Sequence, residues 1–186
     1  MKFFVMYAET CVEDYAVPGE EIFQLERACL TSEFQFLDKS PLTVELSDEG
    51  GLHFPDFILR GAIPLVSSAV KRVLERCAVD YVFFKPVQLT VTELGRAENF
   101  WLALPPRINC LDWERSVFDT EENEFLPPSE LIREAKKFFI DENKIGRYNI
   151  FKLAGVVNQD IIVTEKLKDA LEDARLENIF FCETEE

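Results

Sequence analysis

Few side chains in this sequence could act as a catalytic base or nucleophile. His53 is the only histidine among 186 residues, and it stands beside Phe54 and Pro55. A Ser–His–Asp or Cys–His arrangement would have to use this one imidazole. The sequence also lacks a Gly-x-Ser-x-Gly turn and a glycine-rich phosphate loop, and it has 7 glycines in all. We therefore predict that His53 is a loop residue and that the protein has no catalytic residue.

Metal and cofactor sites have no supporting pattern either. Residues 119–124 have the acid density of a calcium loop, and Glu130 stands at the twelfth position counted from Asp119. However, Glu124 occupies the sixth position, where such a loop needs glycine for its turn. No two of the 5 cysteines have the spacing of a zinc knuckle or a redox pair; they are Cys11, Cys29, Cys77, Cys110 and Cys182. We predict a solvated acidic loop here, and neither a metal nor a cofactor.

Acidic residues dominate the charge of the protein, whose net charge is -15. Nucleic acids and anionic membrane surfaces attract proteins with clusters of Lys and Arg, so neither is predicted as a partner. A protein this acidic is drawn to basic partners by an attraction that weakens with salt. Solubility alone is the other explanation for the excess of acids.

The candidate binding surface lies in the middle one of three acidic clusters. The clusters cover residues 9–26, 112–124 and 172–186, and the middle one interleaves its acids with aromatic rings. Rings supply affinity at protein interfaces, and carboxylates steer a basic partner. The predicted partner-binding residues are Asp112, Trp113, Glu114, Phe118, Asp119, Glu121, Glu122 and Glu124. In the alternative interpretation, the rings point into the core and the acids simply face water.

The elements that would position this surface follow from residue type and periodicity. Strands are predicted at "KFFVMY" (residues 2–7) and at "LTVELSDEGG" (residues 42–51), where two glycines end the strand. Ser67 is a predicted N-cap, because its hydroxyl can accept from the free N–H groups of a first helical turn. After the helix, "YVFF" (residues 81–84) is predicted to form a strand that stops at Pro86, and the next residues extend the sheet.

Two stretches of the sequence align with each other without gaps. They are "VSSAVKRVLERCAVDYVFF" (residues 66–84) and "VTEKLKDALEDARLENIFF" (residues 163–181). Both carry an apolar helix face at i, i+3, i+4 and i+7, and Thr164 takes the N-cap position of Ser67. A lone unit would leave this apolar face exposed, whereas a pair can bury it. We predict a single α+β domain with two related strand-helix-strand repeats that share a mixed sheet.

The predicted domain spans residues 1–186 and has four parts. These are N-terminal strands with an acidic segment (1–54), the first repeat (55–99), an acidic aromatic connector (100–149) and the second repeat (150–186). In the connector, Ser129 is a predicted N-cap for "ELIREAKKFFI" (residues 130–140). This segment fits a helix, and from Ala135 onward it also fits a buried strand.

The order of these segments resembles the bacterial immunity proteins of polymorphic toxin systems, in particular immunity family eleven. The resemblance rests on "KFFVMY", "PDFILRG", "IPLVSSAVKRVLE", "INCLDWERS", "NIFKLAG" and "IIVTEKLKDALEDARLENIFF". It implies a protein that binds and blocks a cognate toxin, and many such toxins have basic surfaces. Members often carry glycine at the exit of each helix. Ala78 and Arg175 stand there in this sequence, so left-handed caps are not expected.

The sequence thus favours a non-enzymatic immunity protein that neutralises a cognate, basic protein toxin. We expect it in the cytoplasm, because the odd number of cysteines suits a reducing compartment and no apolar run reaches the length of a membrane span. No oligomeric state is predicted. One alternative is an orphan binding or scaffold module with a partner other than a toxin. A second alternative is a carboxylate-dependent hydrolase that uses His53.

Overall fold

The structure, a computed structural model, describes residues 1–31, 34, 37–121 and 132–184. Its α-helices are α1 (Glu26–Thr31), α2 (Ser68–Arg76) and α3 (Glu165–Asp173). Its strands are β1 (Phe3–Tyr7), β2 (Leu42–Glu45), β3 (Phe57–Arg60), β4 (Ile63–Ser67), β5 (Phe83–Val91), β6 (Arg96–Leu104), β7 (Arg107–Ile108), β8 (Val117–Glu121), β9 (Ile132–Lys137), β10 (Ile150–Leu153), β11 (Ile161–Thr164) and β12 (Phe180–Glu183). This content confirms the predicted α+β class.

The strands form two five-stranded sheets and one separate hairpin. The first sheet has the order β12-β1-β11-β10-β7, the second has the order β2-β5-β6-β4-β3, and β8 pairs with β9. Each large sheet contains one parallel pair, β10 with β7 and β2 with β5, so both sheets are mixed. The hairpin belongs to the connector between the two repeated stretches.

The prediction that the two repeats share one sheet was wrong. Copy one supplies β3, β4 and β5 to the second sheet, and copy two supplies β10, β11 and β12 to the first. In each sheet, one strand that is not part of the repeated copy lies between the strand just before the helix and the strand just after it. This strand is β6 for copy one and β1 for copy two, and it runs antiparallel to both neighbours. Because each copy completes its own sheet in this way, the copies share a core and not a sheet.

That common core lies between α2 and α3. Val70 and Leu74 of α2 belong to the same buried cluster as Leu167 and Leu171 of α3. The amphipathic faces of the two helices thus bury each other's apolar side chains, as the repeated spacing predicts. A second cluster packs α1 against the other face of the β2–β6 sheet, and a third packs the connector against the first sheet.

Residues that are identical in the two copies cover the edges of this core. In copy one, Lys71 Nζ lies 2.6 Å from Glu75 and 5.3 Å from the centre of the Phe84 ring. Lys168 Nζ in copy two lies 2.7 Å from Glu172 and 5.9 Å from the Phe181 ring. The aliphatic part of each lysine side chain packs on apolar surface, and its ammonium group pairs with a carboxylate. The shared identities are therefore explained by packing and not by chemistry.

Both helix exits adopt the left-handed conformation, contrary to the expectation from the absence of glycine. Ala78 has φ 56 and Arg175 has φ 50. After α2, the Ala78 N–H donates to Glu75 O at 3.1 Å and the Val79 N–H donates to Leu74 O at 3.0 Å. This is the Schellman arrangement, which satisfies the last carbonyls of the helix. These hydrogen bonds and the burial of Val79 hold a residue with a Cβ where glycine is usual.

Ala78→Gly is therefore expected to stabilise the protein. The left-handed conformation of an alanine destabilises the folded protein by about 1–2 kcal/mol. Glycine has more conformational freedom in the unfolded chain, which offsets about 0.4–1 kcal/mol of the gain from its substitution. The net gain in the free energy of unfolding should be about 0.5–1 kcal/mol, measured by urea denaturation. Ala170→Gly, inside α3, is the matched control and should lose about 1 kcal/mol. Equal losses at both positions would contradict the left-handed cap.

Two strands bear on the sequence predictions. One contradicts a predicted strand end, and the other resolves the ambiguous connector segment. The strand predicted to stop at Pro86 continues through it, since β5 runs unbroken to Val91. At Pro86, β5 pairs with β6 alone, because β2 joins β5 only from Val87 onward. A residue without an N–H is tolerated where a strand has one neighbour. The ambiguous connector segment forms β9, and its predicted N-cap Ser129 lies outside the described residues.

Candidate functional site

The β8–β9 hairpin carries the part of the predicted binding surface that faces solvent. Asp119 stands opposite Glu134 in the register, and Lys136 Nζ lies 3.6 Å from the first carboxylate and 3.1 Å from the second. Glu114, just before the hairpin, is exposed. Of Glu121 the structure describes the backbone pairing with Ile132. The predicted residues Glu122 and Glu124 lie outside the described part of the chain.

The aromatic residues of the predicted surface pack inward. Trp113 and Phe118 stack with their ring centroids 4.8 Å apart, and both pack against the third buried cluster. Gly155 makes room for Trp113, because a Cβ there would lie 3.0 Å from the Trp113 ring. The two rings are half-buried, so they support the hairpin and leave the outward contacts to the acids.

Polar side chains fix the hairpin to the rest of the molecule. The Asp112 carboxylate accepts from the backbone N–H groups of Glu114 and Arg115, both at 3.2 Å, and thereby holds the turn before β8. The Asn158 side chain accepts from Ala135 N–H at 2.8 Å and donates to Ala135 O at 3.1 Å. Such paired amide bonds replace a neighbouring strand, so they should hold β9 in position.

A second acidic surface forms where the segment after β1 packs against the segment after α3. The Glu9 N–H donates to Asn178 Oδ1 at 3.0 Å, and Asn178 Nδ2 donates back to Glu9 O at 3.1 Å. The Tyr15 hydroxyl donates to the Glu177 carboxylate at 3.4 Å. The first and third acidic clusters of the sequence therefore lie side by side in space. The sequence analysis treated these two clusters as separate, because the antiparallel pairing of β1 with β12 that brings them together is not visible in the sequence.

His53 joins these two segments. Its Nε2 lies 2.7 Å from the Glu177 carboxylate, and its ring stacks on Tyr15 with centroids 5.6 Å apart. His53 and Glu177 are each about half exposed, at 52% and 44% of the side chain. This arrangement gives the imidazole a structural contact between a loop and the exit of α3. Among the described residues, no group of three or more His, Cys, Asp or Glu side chains is placed to hold a metal.

A cavity of about 240 Å³ opens at this junction. Polar side chains on its wall include Glu9, Tyr15 and Asn178, while Val17 and Ile58 are among the apolar ones. Burial raises the pKa of the Tyr15 hydroxyl above its ordinary value, and the negative charges of Glu177 and Glu9 raise this pKa further. Two carboxylates therefore lie close to the Tyr15 hydroxyl on this wall of the cavity.

A smaller cavity of about 140 Å³ lies next to it and shares Leu59 and Gly61 with it. Tyr7 and Asp160 line this second cavity. Tyr7 is 42% exposed and contacts the ring of Phe180, which is 38% exposed, in a tilted arrangement with a centroid distance of 5.6 Å. Two aromatic rings thus stand in solvent at the end of β1, beside acids.

A buried lysine and a half-buried arginine lie beside the end of α1, and sequence reasoning did not single out either of them. Lys152 of β10 is 1% exposed, and its Nζ donates to Cys29 O and Gln159 Oε1, both at 3.3 Å. Arg107 donates to Leu30 O at 2.8 Å. Both cations therefore satisfy carbonyls at the end of α1. Burial lowers the pKa of Lys152 to about 8, and the nearby positive charge of Arg107 acts in the same direction. The role of this pair is structural.

Exposed acids and rings on an α+β scaffold define a protein suited to contact with another protein. The family model described as "Immunity protein family (Imm11)" matches residues 7–186. The chain therefore belongs to this family of immunity proteins, and the resemblance seen in its segments is confirmed. Membership supports an immunity role and implies, in general terms, a toxin partner. No curated protein matches the chain significantly. Within the described residues, every helix is too short or too polar to cross a membrane.

Proposed function

We propose that this protein binds one cognate toxin domain and neutralises it by occupying its surface, without catalysing a reaction. The observation that carries the proposal is the family match over residues 7–186. The net charge of -15 and the exposed carboxylates support a basic toxin as the partner. We propose that the protein meets the toxin in the cytoplasm, because the odd number of cysteines in the sequence suits a reducing compartment.

Co-expression with the toxin-like protein encoded beside this gene tests the proposal. We expect the wild-type chain to restore growth of a host that produces the toxin, and the two proteins to elute as one complex from size exclusion. Absence of both growth rescue and a complex would overturn the proposal. A gene neighbourhood without a toxin would favour the alternative of an orphan binding module.

Within this function, we propose the β8–β9 hairpin as one contact surface. Its acids would steer the toxin toward the protein, while Trp113 and Phe118 keep the hairpin rigid. The predicted residues Asp112, Glu114, Asp119, Glu121, Glu122 and Glu124 remain the proposed acidic contacts. Asp112 and Asp119 hold intramolecular partners. Glu114 is exposed and Glu121 is the last residue of β8, so these two positions are chosen for a charge-reversal test.

The double variant Glu114→Lys/Glu121→Lys is expected to slow association with the toxin about tenfold at low salt, because steering by charge acts on the association rate. Stopped-flow or surface-based kinetics at two salt concentrations would measure this rate and its salt dependence. The control is Glu142→Lys, at an exposed acid that contacts the N-terminal ammonium; it makes one such charge change, so its association rate is compared with that of Glu114→Lys alone. Association at the wild-type rate in the double variant would remove the hairpin from the interface.

A further inference from the structure

The cavity at the junction of the two chain ends has the properties of a docking point. Its volume of about 240 Å³ falls below the range of about 300–1,000 Å³ that is usual for small-molecule sites. It therefore suits one long side chain better than a whole ligand. The exposed rings of Tyr7 and Phe180 lie beside it through the neighbouring cavity. Aromatic rings next to a pocket are the usual composition of an interface hot spot.

Charge decides which side chain the cavity would accept. Glu9 is exposed and lines the cavity, and its backbone alone is engaged by Asn178. The Glu177 carboxylate accepts from the Tyr15 hydroxyl at 3.4 Å and is also paired with His53. Arg60 also lines the cavity, but its guanidinium donates to Glu49 at 3.2 Å and lies over the Phe23 ring at 5.7 Å. Because the Arg60 charge is paired with Glu49, the Glu9 carboxylate is the charge that a cationic guest would meet in the cavity.

We propose that this cavity receives a Lys or Arg side chain of the toxin, while Tyr7 and Phe180 contact the apolar groups around that side chain. The aliphatic stem of the guest would pack on Val17, Pro18 and Ile58, and its charge would reach the Glu9 carboxylate. This inference rests on the proposed function, because it assigns a second contact surface to the same toxin. A second copy of this chain is a poorer occupant, since two copies of net charge -15 repel each other.

The two surfaces are linked through the protein. The hairpin is held by Asn158, whose amide also donates to Asp160 at 3.1 Å. Asp160 lines the smaller cavity, which adjoins the larger one. None of the described hairpin residues lines either cavity, so losses of affinity from the two sites are expected to be separable by mutation.

The test measures calorimetric affinity for the toxin identified by co-expression, with full-length proteins. Glu9→Lys should weaken binding about 30-fold or more, and Tyr7→Ala/Phe180→Ala about 10- to 100-fold, which are hot-spot losses. Glu142→Lys makes the same charge change at the other end of β1, where it meets Met1, and should stay within about threefold of wild type. Circular dichroism and thermal midpoints would confirm that each variant is folded.

The outcomes separate the two proposals. Failure of the wild-type chain to bind the toxin would overturn the proposed function itself. Wild-type binding that Glu9→Lys leaves unchanged would overturn only the cavity as a docking point, even if the aromatic variant were unstable. A dimer in light scattering that Tyr7→Ala/Phe180→Ala abolishes would identify a second copy as the occupant and would also overturn the inference.

Discussion

Gly51→Ala is expected to lower the free energy of unfolding by about 2–3 kcal/mol, because the new methyl group would overlap the backbone of the N-terminal segment. A Cβ at this position would lie 2.2 Å from Asp14 O and 2.4 Å from its carbonyl carbon. Neither atom can move without displacing the segment. Hydrogen bonds from Gly51 N–H to Tyr15 O at 2.8 Å and from Ala16 N–H to His53 O at 2.7 Å would be strained or lost.

Urea denaturation would measure the loss of stability, and hydrogen exchange at Tyr15 and Ala16 would show whether the segment opens. The matched control is Gly95→Ala, at a glycine with φ +59 where an added Cβ would meet no heavy atom within 4 Å. That change should cost about 0.5–1 kcal/mol, which is the left-handed strain less the unfolded-chain freedom that alanine removes, without opening the N-terminal segment. Equal hydrogen exchange at Tyr15 and Ala16 in Gly51→Ala and wild type would contradict the close approach.

Gly51→Ala also bears on the proposed binding surfaces. Tyr15, Ala16, Val17 and Pro18 form one wall of the larger cavity, so displacement of this segment would dismantle the proposed docking point. The variant should therefore lose toxin affinity even at temperatures where it stays folded. Under the same conditions the hairpin should still steer the toxin, and the salt dependence of association should remain.

Lys152→Met should change the way stability depends on pH. The pKa of Lys152 in the folded protein is about 8, below the ordinary 10.5, because the ammonium is buried. Between these values the unfolded chain binds more protons than the folded one, so stability rises with pH. Below about pH 8 the full penalty of the buried charge is present. Wild type should thus gain about 3 kcal/mol relative to Lys152→Met as pH rises from 7 to above 10.5.

Denaturant unfolding of both proteins at several pH values would measure this difference. Burial raises the pKa of the Cys29 thiol to about 12, which makes stability fall as pH rises above about 9 and so opposes the lysine. Both proteins should therefore carry Cys29→Ala, so that the thiol does not contribute. A difference in stability that stays constant from pH 7 to 10.5 would show that Lys152 titrates like an exposed lysine.

Features that depend on local sequence were predicted correctly. The strand at residues 3–7 and the helix after Ser67 follow from residue type and periodicity, and the Ser67 hydroxyl accepts from Ala69 and Val70 N–H as expected. The equivalent Thr164 occupies the N-cap position, but its hydroxyl donates to Asn149 instead of capping the helix. A neighbouring loop, which the cap pattern does not include, makes that difference.

Features that depend on distant partners could not be predicted in the same way. The sequence predicts that a strand ends at Pro86. The strand continues because β5 pairs there with β6 alone, so no neighbour on the other side needs a backbone N–H from Pro86. Gly50 and Gly51 read as the end of a strand, whereas their close contacts with residues 14–17 are visible only in three dimensions. Lys152 occupies the place of the apolar Ile58 in the other repeat, and one of its two acceptors, Cys29 O, lies in α1, more than 100 residues earlier.

The candidate surface shows the same division between local and distant information. Composition identified acids and rings at residues 112–124, but the inward packing of Trp113 depends on Gly155 in another part of the sequence. The junction around Glu9 and Asn178 unites two clusters that the sequence places at opposite ends. Charge balance alone therefore predicts the kind of partner, and the fold determines where the charges meet.

The sharpest test of stoichiometric neutralisation is a titration of purified toxin with this protein while toxin activity is followed. Binding by occlusion predicts that activity falls linearly and reaches zero near one molecule of this protein per molecule of toxin, when both are well above their dissociation constant. Dilution or competition should then restore active, chemically unchanged toxin. Complete loss of activity at a small fraction of one equivalent, with covalently altered toxin, would contradict occlusion and show that the protein acts as an enzyme.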